Sequence, residues 1–191
     1  MQSAQLPGNA SRTTAHAALP RRGRRLLIPL LAFVAGVGLG LVGGFGLGIF
    51  VYPFWFLTEV AREAIPTPEA KRLVATGDFI HANPSDPIHW GGGQVQVLGD
   101  QSGAHLVHLD ESFEVGPGPA FHVYLVDHSN VRSGADFEAS ELVDLGRLKA
   151  FKGSQNYPVP PGIHLARYRS VVIWCKQFSV LISPATLQPA T

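Results

Sequence analysis

Val171-Val172-Ile173-Trp174-Cys175-Lys176-Gln177-Phe178-Ser179-Val180 contains the only cysteine among the 191 residues of this chain. Val, Ile, Trp and Phe are typical of strands, and the pair Ser183-Pro184 is expected to stop the run, so the stretch is predicted to be one β-strand. Side chains of a strand alternate between the two faces of the sheet. The alternation therefore predicts two groups of apolar side chains: Val171, Ile173 and Cys175 on one face, and Val172, Trp174, Phe178 and Val180 on the other. Because both faces are apolar, we expect the strand to lie in the centre of its sheet.

The sequence around this strand predicts an all-β domain. From Thr76 onward, short apolar runs recur about every 8 to 12 residues between Gly, Pro, Asn, Asp and Ser, with hardly any helical period. One pair of runs, 94–97 and 104–109, is separated by a turn sequence at 99–103 and is predicted to form a hairpin. This pattern is typical of an antiparallel β-sandwich or a small barrel. A domain of about 115 residues can bury a sufficient core without disulfides.

The amino-terminal part of the chain has a different character. A basic cluster, Arg21-Arg22-Gly23-Arg24-Arg25, directly precedes the 32 uncharged residues 26–57. A bilayer core is spanned by about 20 apolar residues in a helix, so the uncharged run is long enough to cross a membrane. The predicted order is a disordered basic tail (1–25), a transmembrane helix (26–57), a stalk (58–73), the β domain (74–188) and a short tail (189–191).

The competing interpretation of the apolar run is a cleaved signal peptide. The apolar region of a signal peptide is about 7 to 15 residues long and ends at a cleavage site with small residues, whereas this run is longer and no convincing site follows it. We therefore favour an uncleaved single-pass anchor. Arginines on the amino side predict that the amino end is cytoplasmic and that the β domain is an ectodomain, either periplasmic or at the cell surface.

One face of the predicted helix carries small residues. Gly36, Gly40, Gly44 and Gly48 recur every four residues, a spacing that allows a second helix to approach closely. Glycine is also generally common in membrane helices. The stripe therefore leaves self-association of the helix as an open hypothesis.

Several classes of function are disfavoured by what the sequence lacks. Five of the 15 basic residues precede the apolar run, which leaves ten against 14 acidic residues in the rest of the chain. That balance does not indicate a nucleic-acid partner, which would need clustered Lys and Arg. The chain also has no G-x-S-x-G elbow, no phosphate-binding loop and no Rossmann fingerprint. We do not expect a hydrolase or a nucleotide-dependent enzyme, and whether the protein is an enzyme stays undecided.

A single cysteine cannot form a disulfide within its own chain. Cys175 is therefore a buried inert thiol, a reactive thiol, or a ligand to a metal ion or haem, and free cysteines are among the most buried residues of proteins. Seven histidines follow residue 74, but none shows the spacing of a zinc motif. Blue-copper sites usually add a weak axial Met, and the only methionine is Met1. Among the histidines we single out His122, because it lies within an apolar run.

The ectodomain resembles the DM-thirteen domain family over roughly residues 74 to 188. The most specific of the matching blocks is the cysteine strand. The full set of matching blocks is Gly77-Asp78-Phe79 with His89 and Gly93, Gly118-Pro119-Ala120-Phe121-His122-Val123-Tyr124-Leu125, Asp144-Leu145-Gly146-Arg147-Leu148-Lys149, Gly153-Ser154-Gln155-Asn156-Tyr157 with Pro160, and Tyr168 to Val180 with Ala185. Two departures from the family's pattern are Ala120 and His164, which occupy or lie near commonly acidic positions.

The resemblance implies electron transfer or redox chemistry through the family's hallmark cysteine, which corresponds to Cys175. It implies either a bare thiol or a ligand to a prosthetic group such as haem. Copper is the less favoured cofactor, because the usual axial methionine is missing after residue 1 and no histidine follows Cys175. We add His122 as a candidate second group for the thiol or the cofactor, because it lies in a matching strand. The resulting hypothesis is a membrane-anchored extracytoplasmic redox domain with a redox partner protein. The alternative is a non-enzymatic binding or adhesion module in which Cys175 is only a core residue.

Overall fold

The structure is a computed structural model that describes residues 21–56 and 60–190. Its first element is the helix α1 (Arg21–Phe56). The segment Leu27–Gly48 within α1 has a mean hydropathy of 2.2 and is long and apolar enough to cross a membrane. A signal sequence near the amino terminus has the same character, so α1 is a candidate span. The tail at 1–20 and the end of the predicted helix at residue 57 lie outside the described residues.

The rest of the described chain is built almost entirely of short strands. A short helix α2 (Gly134–Glu138) lies between the seventh and eighth of them. The twelve strands of residues 60–190 are β1 (Val60–Arg62), β2 (Arg72–Asp78), β3 (Gly91–Gly92), β4 (Gln94–Gly99), β5 (His105–Leu109), β6 (Glu114–Val115), β7 (Phe121–Val126), β8 (Leu142–Arg147), β9 (Lys152–Pro158), β10 (Ser170–Cys175), β11 (Val180–Thr186) and β12 (Gln188–Pro189).

The strands form two sheets, which confirms the predicted all-β fold and selects the sandwich over the barrel. The smaller sheet has four antiparallel strands in the order β11-β10-β7-β8. The larger sheet has eight strands, in the order β12-β2-β4-β5-β9-β6-β3, with β1 added in parallel to β9. The predicted hairpin is confirmed as β4 and β5, in which Val97 pairs with Val107.

The main hydrophobic core lies between the two sheets. The four-stranded sheet contributes alternate residues of β7 and β10, and the larger sheet contributes alternate residues of β4 and β5, as the period of two requires. Its fully buried members include Val95, Val97, Val107, Leu109, Val123, Leu125, Val171 and Ile173. We call the surface of the four-stranded sheet that lines this core its inner face, and the opposite surface its outer face.

A second, smaller cluster covers part of the outer face. It contains Tyr124 and Val126 from β7, Val172 and Trp174 from β10, and Val131 and Phe137 from the segment around α2. Ser133 caps α2, because its hydroxyl accepts a hydrogen bond from the Asp136 N–H while the Asp136 carboxylate accepts one from the Ser133 N–H. This cap starts the helix at the point from which Phe137 reaches the sheet.

The strand of the cysteine is central, as predicted, but it is shorter than predicted. All six residues of β10 are buried, and β10 pairs with β7 on one side and β11 on the other. The chain turns after Cys175, so Phe178 is not on a strand face but is 60% exposed in the turn. Val180 starts β11 opposite Cys175 and packs on the inner core, which corrects its predicted face.

The predicted stop at Ser183-Pro184 is also wrong, because both residues lie inside β11. This strand is at the edge of the four-stranded sheet. A proline lacks an N–H to donate, but an edge strand needs hydrogen bonds on one side only. Pro184 is therefore tolerated there, and its carbonyl accepts a hydrogen bond from the Ile80 N–H at 3.1 Å.

Part of the predicted stalk belongs to the larger sheet. β1 pairs with β9 over three residues, and the Glu63 N–H donates to the Ser154 carbonyl at 3.0 Å. The Glu63 carboxylate accepts hydrogen bonds from Lys149 Nζ and from the Asn156 N–H, each at 2.8 Å. These contacts join residues 60–64 to the β domain.

Candidate functional site

Cys175 is the last residue of β10, and its side chain is on the inner face. The residue is 2% exposed and packs in the core between the sheets. Its neighbours across the sheet are Phe121 on β7 and Val180 on β11. The Sγ–H donates a hydrogen bond to the Pro119 carbonyl at 3.2 Å. The thiol is therefore enclosed by the core on one side and by a loop on the other.

That loop is the segment 116–120, which we call the covering segment. At its start, the Gly116 N–H donates to the Trp90 carbonyl at 3.0 Å. At its end, the Ala120 carbonyl accepts a hydrogen bond from the Lys176 N–H at 3.1 Å. Ala120 has a φ of 51°, a left-handed conformation that an alanine seldom adopts. The covering segment is thus held at both ends, with one unfavourable backbone conformation beside the thiol.

Glycine is required within the covering segment for a steric reason. A Cβ on Gly118 would collide with the ring of Phe121. That ring lies in the inner core and makes an edge contact with Phe151, at a centroid distance of 5.7 Å. The missing side chain allows the covering segment to lie close over the core at the cysteine.

His122 is on the opposite side of the same sheet. Phe121 faces the inner core with Cys175, and the next side chain along β7 must point outward. Nδ1 of His122 lies 2.9 Å from Oδ1 of Asp144 on β8. The structure therefore does not bring His122 and Cys175 together, and the predicted pairing of the two as ligands of one group has no support in this geometry.

Asp144 is the centre of a polar cluster on the outer face. Its carboxylate accepts hydrogen bonds from His122 Nδ1–H, from the Tyr124 hydroxyl at 3.2 Å, from Lys176 Nζ at 3.2 Å and from the Gly146 N–H at 2.9 Å. Partial burial raises the pKa of Asp144, but the hydrogen bonds from His122, Gly146 and Lys176 outweigh it and the pKa lies below its usual range. Burial, together with the nearby Asp144 charge, raises the pKa of Tyr124 to about 12.

Three aromatic rings lie beside this cluster. The rings of Tyr124 and Phe137 meet edge to face at a centroid distance of 5.1 Å. Phe137 stacks on Trp174 at 4.1 Å, with the rings only 13° from parallel. Trp174 is adjacent to Cys175 in sequence, but the alternation of β10 puts the two side chains on opposite faces.

The Asp144 cluster was missed by sequence reasoning. The sequence 142–146 carries a signal for it, because Asp144 lies between the apolar residues Val143 and Leu145 in a short apolar run. Alternation alone would have put Asp144 outward, on the same face as Leu142. What alternation could not reveal is the register, which sets Asp144 opposite Tyr124.

The other described histidines make separate contacts. His108 Nδ1 lies 2.8 Å from the Asn156 side-chain oxygen, and His89 Nδ1 lies 2.7 Å from Asp86. Within residues 21–56 and 60–190, no three His, Cys, Asp or Glu side chains are grouped so that they could hold a metal ion. A copper site with two histidines and the cysteine does not fit this donor set.

The surroundings of the enclosed Cys175 thiol do not fit a haem either. A cysteine that binds haem iron needs open space beside its sulfur, and the haem needs a second donor or a pocket that holds the porphyrin. Three described cavities of about 620, 380 and 240 Å³ are lined by other residues, around His108, Leu187 and Asp78 respectively. With the covering segment in place, the arrangement is that of a bare thiol.

These observations define a class of domain: a two-sheet, mostly antiparallel sandwich with one enclosed thiol at a strand end. A family model described as "Electron transfer DM13" matches residues 84–187, which is more than half of the chain. The chain therefore belongs to the DM13 electron-transfer family, as the sequence resemblance predicted. The matched region contains Cys175, the covering segment and the Asp144 cluster. No curated protein and no solved structure matches the chain.

Proposed function

We propose that this protein is a membrane-anchored, extracytoplasmic electron-transfer protein that acts through the bare thiol of Cys175. The family to which the chain belongs supports the redox role. The observation that carries the role of the cysteine is its position at the end of β10, where it donates its hydrogen bond to Pro119 in a loop. Loop segments open at lower free energy than paired strands, so the covering segment can expose the sulfur while the sandwich stays folded.

The chemistry that a single thiol supports is thiol–disulfide exchange. The Cys175 thiolate attacks one sulfur of a partner's disulfide, the S–S bond of the partner breaks, and a mixed disulfide forms. The leaving partner thiolate takes up the proton that Cys175 lost. One thiol of a second, dithiol partner then attacks the Cys175 sulfur of the mixed disulfide and releases the first partner in its dithiol form. The other thiol of the second partner attacks the new mixed disulfide, which restores the Cys175 thiolate and leaves an internal disulfide in the second partner. No step requires a metal ion or a prosthetic group.

The anchor is proposed from α1 and its flanking charges. The span Leu27–Gly48 is apolar along its whole length, and four arginines precede it within residues 21–25. Positive charges are retained on the cytoplasmic side, which favours the β domain outside the cytoplasm. Oxidised partner disulfides are found in such compartments. The glycine stripe of α1, at positions 36, 40, 44 and 48, remains a hypothesis for pairing of two anchors.

The second candidate function is a binding or adhesion module in which Cys175 only fills space. The 2% exposure of Cys175 and its contacts in the inner core favour this alternative. A small buried thiol is an ordinary core residue. The two candidates differ in one measurable property, which is whether the sulfur reacts while the protein is folded.

The test is the rate at which oxidised glutathione forms a mixed disulfide with the folded full-length protein in detergent micelles. Mass spectrometry counts the adduct, and a reducing agent must remove it. We expect one adduct per chain, formed at a rate that hardly changes as urea is raised below the unfolding transition, because opening of a loop exposes little surface. The Cys175→Ser variant must form no adduct.

The opposite result is equally clear. If the adduct forms only as fast as the whole domain unfolds, its rate will rise steeply with urea, since global unfolding exposes a large surface. Cys175 would then be a core residue, and the binding-module alternative would replace the redox proposal.

A further inference from the structure

Two tyrosines of the β domain donate a hydroxyl hydrogen bond to a carboxylate, and Tyr124 makes the shorter of the two bonds. Its OH donates to the ionised carboxylate of Asp144 at 3.2 Å. The hydroxyl of Tyr157 donates instead to the neutral amide oxygen of Gln155 at 2.8 Å. The hydroxyl of Tyr168 is 3.4 Å from Glu141. Tyr124 therefore has the shortest described hydrogen bond from a phenol to a carboxylate.

A carboxylate at this position has a chemical consequence for electron transfer. Removal of an electron from a phenol makes its proton strongly acidic, so the oxidation needs a base that receives the proton at the same time. The raised pKa of Tyr124 keeps the phenol protonated at neutral pH, and the lowered pKa of Asp144 keeps the acceptor ionised. Tyr124 is only 7% exposed, so bulk water has little access to its ring.

The surroundings of the ring also provide a route for an electron. Phe137 contacts Tyr124 and stacks on Trp174, at centroid distances of 5.1 and 4.1 Å. The centroid of the His122 ring lies 6.2 Å from the centroid of the Tyr124 ring. His122 is partly exposed at the surface of the outer face, so a partner's redox centre that docks there comes close to the tyrosine.

We propose that Tyr124 is a redox-active tyrosine that gives one electron to an outer-sphere one-electron oxidant, such as the metal centre of a partner protein, while its proton passes to Asp144. The products are the neutral Tyr124 radical, a protonated Asp144 carboxyl and the oxidant reduced by one electron. A later electron returns to the radical, and the proton returns from Asp144. This inference rests on the electron-transfer role of the proposed function but not on Cys175.

The experiment generates a one-electron oxidant beside the full-length protein in detergent micelles. Tris(bipyridine)ruthenium(III), produced by a light flash in the presence of a sacrificial electron acceptor, serves as the probe, and transient absorption and electron paramagnetic resonance identify the radical. We expect a neutral tyrosyl radical in the wild type, and loss of most of it in Tyr124→Phe. The control Tyr157→Phe removes a hydroxyl that is bonded to an amide and must leave the radical yield unchanged.

The role of Asp144 is tested through the rate of the same reaction. Asn can accept the hydrogen bond of Tyr124 but cannot take its proton, so Asp144→Asn is expected to slow radical formation by about 100-fold, the lower range for a positioned proton acceptor. The wild-type rate should not depend on the concentration of an added buffer base, and it should fall in D₂O. The buffer measurement needs no variant and is therefore unaffected by any misfolding of Asp144→Asn.

Three results would overturn the inference: a tyrosyl radical of equal yield in Tyr124→Phe, a tryptophan radical as the main product in the wild type, or a wild-type rate proportional to the buffer base. The Cys175→Ser variant separates this inference from the proposed thiol chemistry. It must form the Tyr124 radical at the wild-type rate, even if the glutathione experiment shows that Cys175 is inert.

Discussion

The two faces of the four-stranded sheet are built from the same strands and have opposite chemistry. On the inner face, Ile173 and Cys175 are packed against the larger sheet and exclude water. On the outer face, Tyr124 and Trp174 pack around Phe137, and Asp144 collects four hydrogen bonds beside them. The difference shows that neighbours in sequence, such as Trp174 and Cys175, can belong to separate chemical environments.

The comparison assigns different capacities to the two faces. We propose that the inner face holds a nucleophile that is inactive until the covering segment moves. On the outer face, which is partly open to solvent, we propose an acceptor for protons and an oxidisable ring.

Substitutions on the inner face should lower the stability of the protein the most. Replacing Ile173, which is fully buried, with Ala removes apolar contacts and leaves a cavity. We expect the free energy of unfolding in urea to fall by about 2–5 kcal/mol. The control Phe178→Ala removes a larger side chain from the exposed turn after the same strand, and its effect should stay within about 0.5 kcal/mol. Equal losses of unfolding free energy in the two variants would show that packing on the inner face contributes no special stability.

The covering segment should control the reactivity of the inner face. A Cβ on Gly118 would collide with Phe121, and such overpacking costs about 1–3 kcal/mol. If that cost falls on the closed loop, Gly118→Ala should speed maleimide labelling of Cys175 by roughly tenfold for each 1.4 kcal/mol.

The matched control for Gly118→Ala is Gly92→Ala, which lies outside the covering segment. A Cβ at Gly92 meets no atom within 4 Å. The labelling rate of Gly92→Ala should equal that of the wild type. A labelling rate that stays unchanged in Gly118→Ala as well would mean that the covering segment does not protect the thiol.

The stability that the outer face contributes should depend on pH through the carboxylate of Asp144. The pKa of Asp144 is lowered in the folded protein, so its stabilising effect is present above the ordinary carboxyl pKa of about 3.9 and is lost as the pH falls through the lower folded value. Asp144→Asn should therefore reduce the free energy of unfolding by about 1 kcal/mol at pH 7, because Asn keeps an acceptor and solvent screens a carboxylate that is 35% exposed. Urea titrations of the two proteins should converge as the pH is lowered below the folded pKa of Asp144.

Glu111→Gln is the reference for this measurement. It also removes one carboxylate, but from an exposed side chain, so it should change stability little at either pH. A constant difference between the wild type and Asp144→Asn at all pH values would show that the charge of Asp144 is unimportant.

The smallest effect is expected from the ion pair that joins the outer face to the turn after Cys175. Lys176 and Asp144 are 3.2 Å apart, and their side chains are 49% and 35% exposed. Such a pair contributes about 0–1 kcal/mol, and salt weakens it. Lys176→Ala should thus change stability no more than Lys152→Ala, which removes the similarly exposed pair with Glu114.

This last variant also probes coupling between the faces. If Lys176→Ala speeds labelling of Cys175 far more than it lowers stability, the Asp144 cluster holds the turn that closes over the thiol. The two faces would then act as one unit, and the inner and outer faces would not have independent roles.

The sequence alone determined those features that depend on local pattern. The period of two in Val171 to Cys175 predicted both faces of β10, and the lack of polar residues predicted its central place. The apolar run 26–57 predicted a candidate membrane span, and the blocks around Cys175 predicted the family. Each of these follows from residue types and spacing within one segment, without knowledge of what packs against it.

Only the tertiary structure decided which residues meet across segments. The turn after Cys175 exposed Phe178, and the pairing of β1 with β9 drew part of the stalk into the sheet. The register of β7 with β8 built the Asp144 cluster and separated His122 from Cys175. Side-chain alternation has a fixed period within a strand, but register and loop closure depend on the packing of the whole core, which no single stretch of sequence contains.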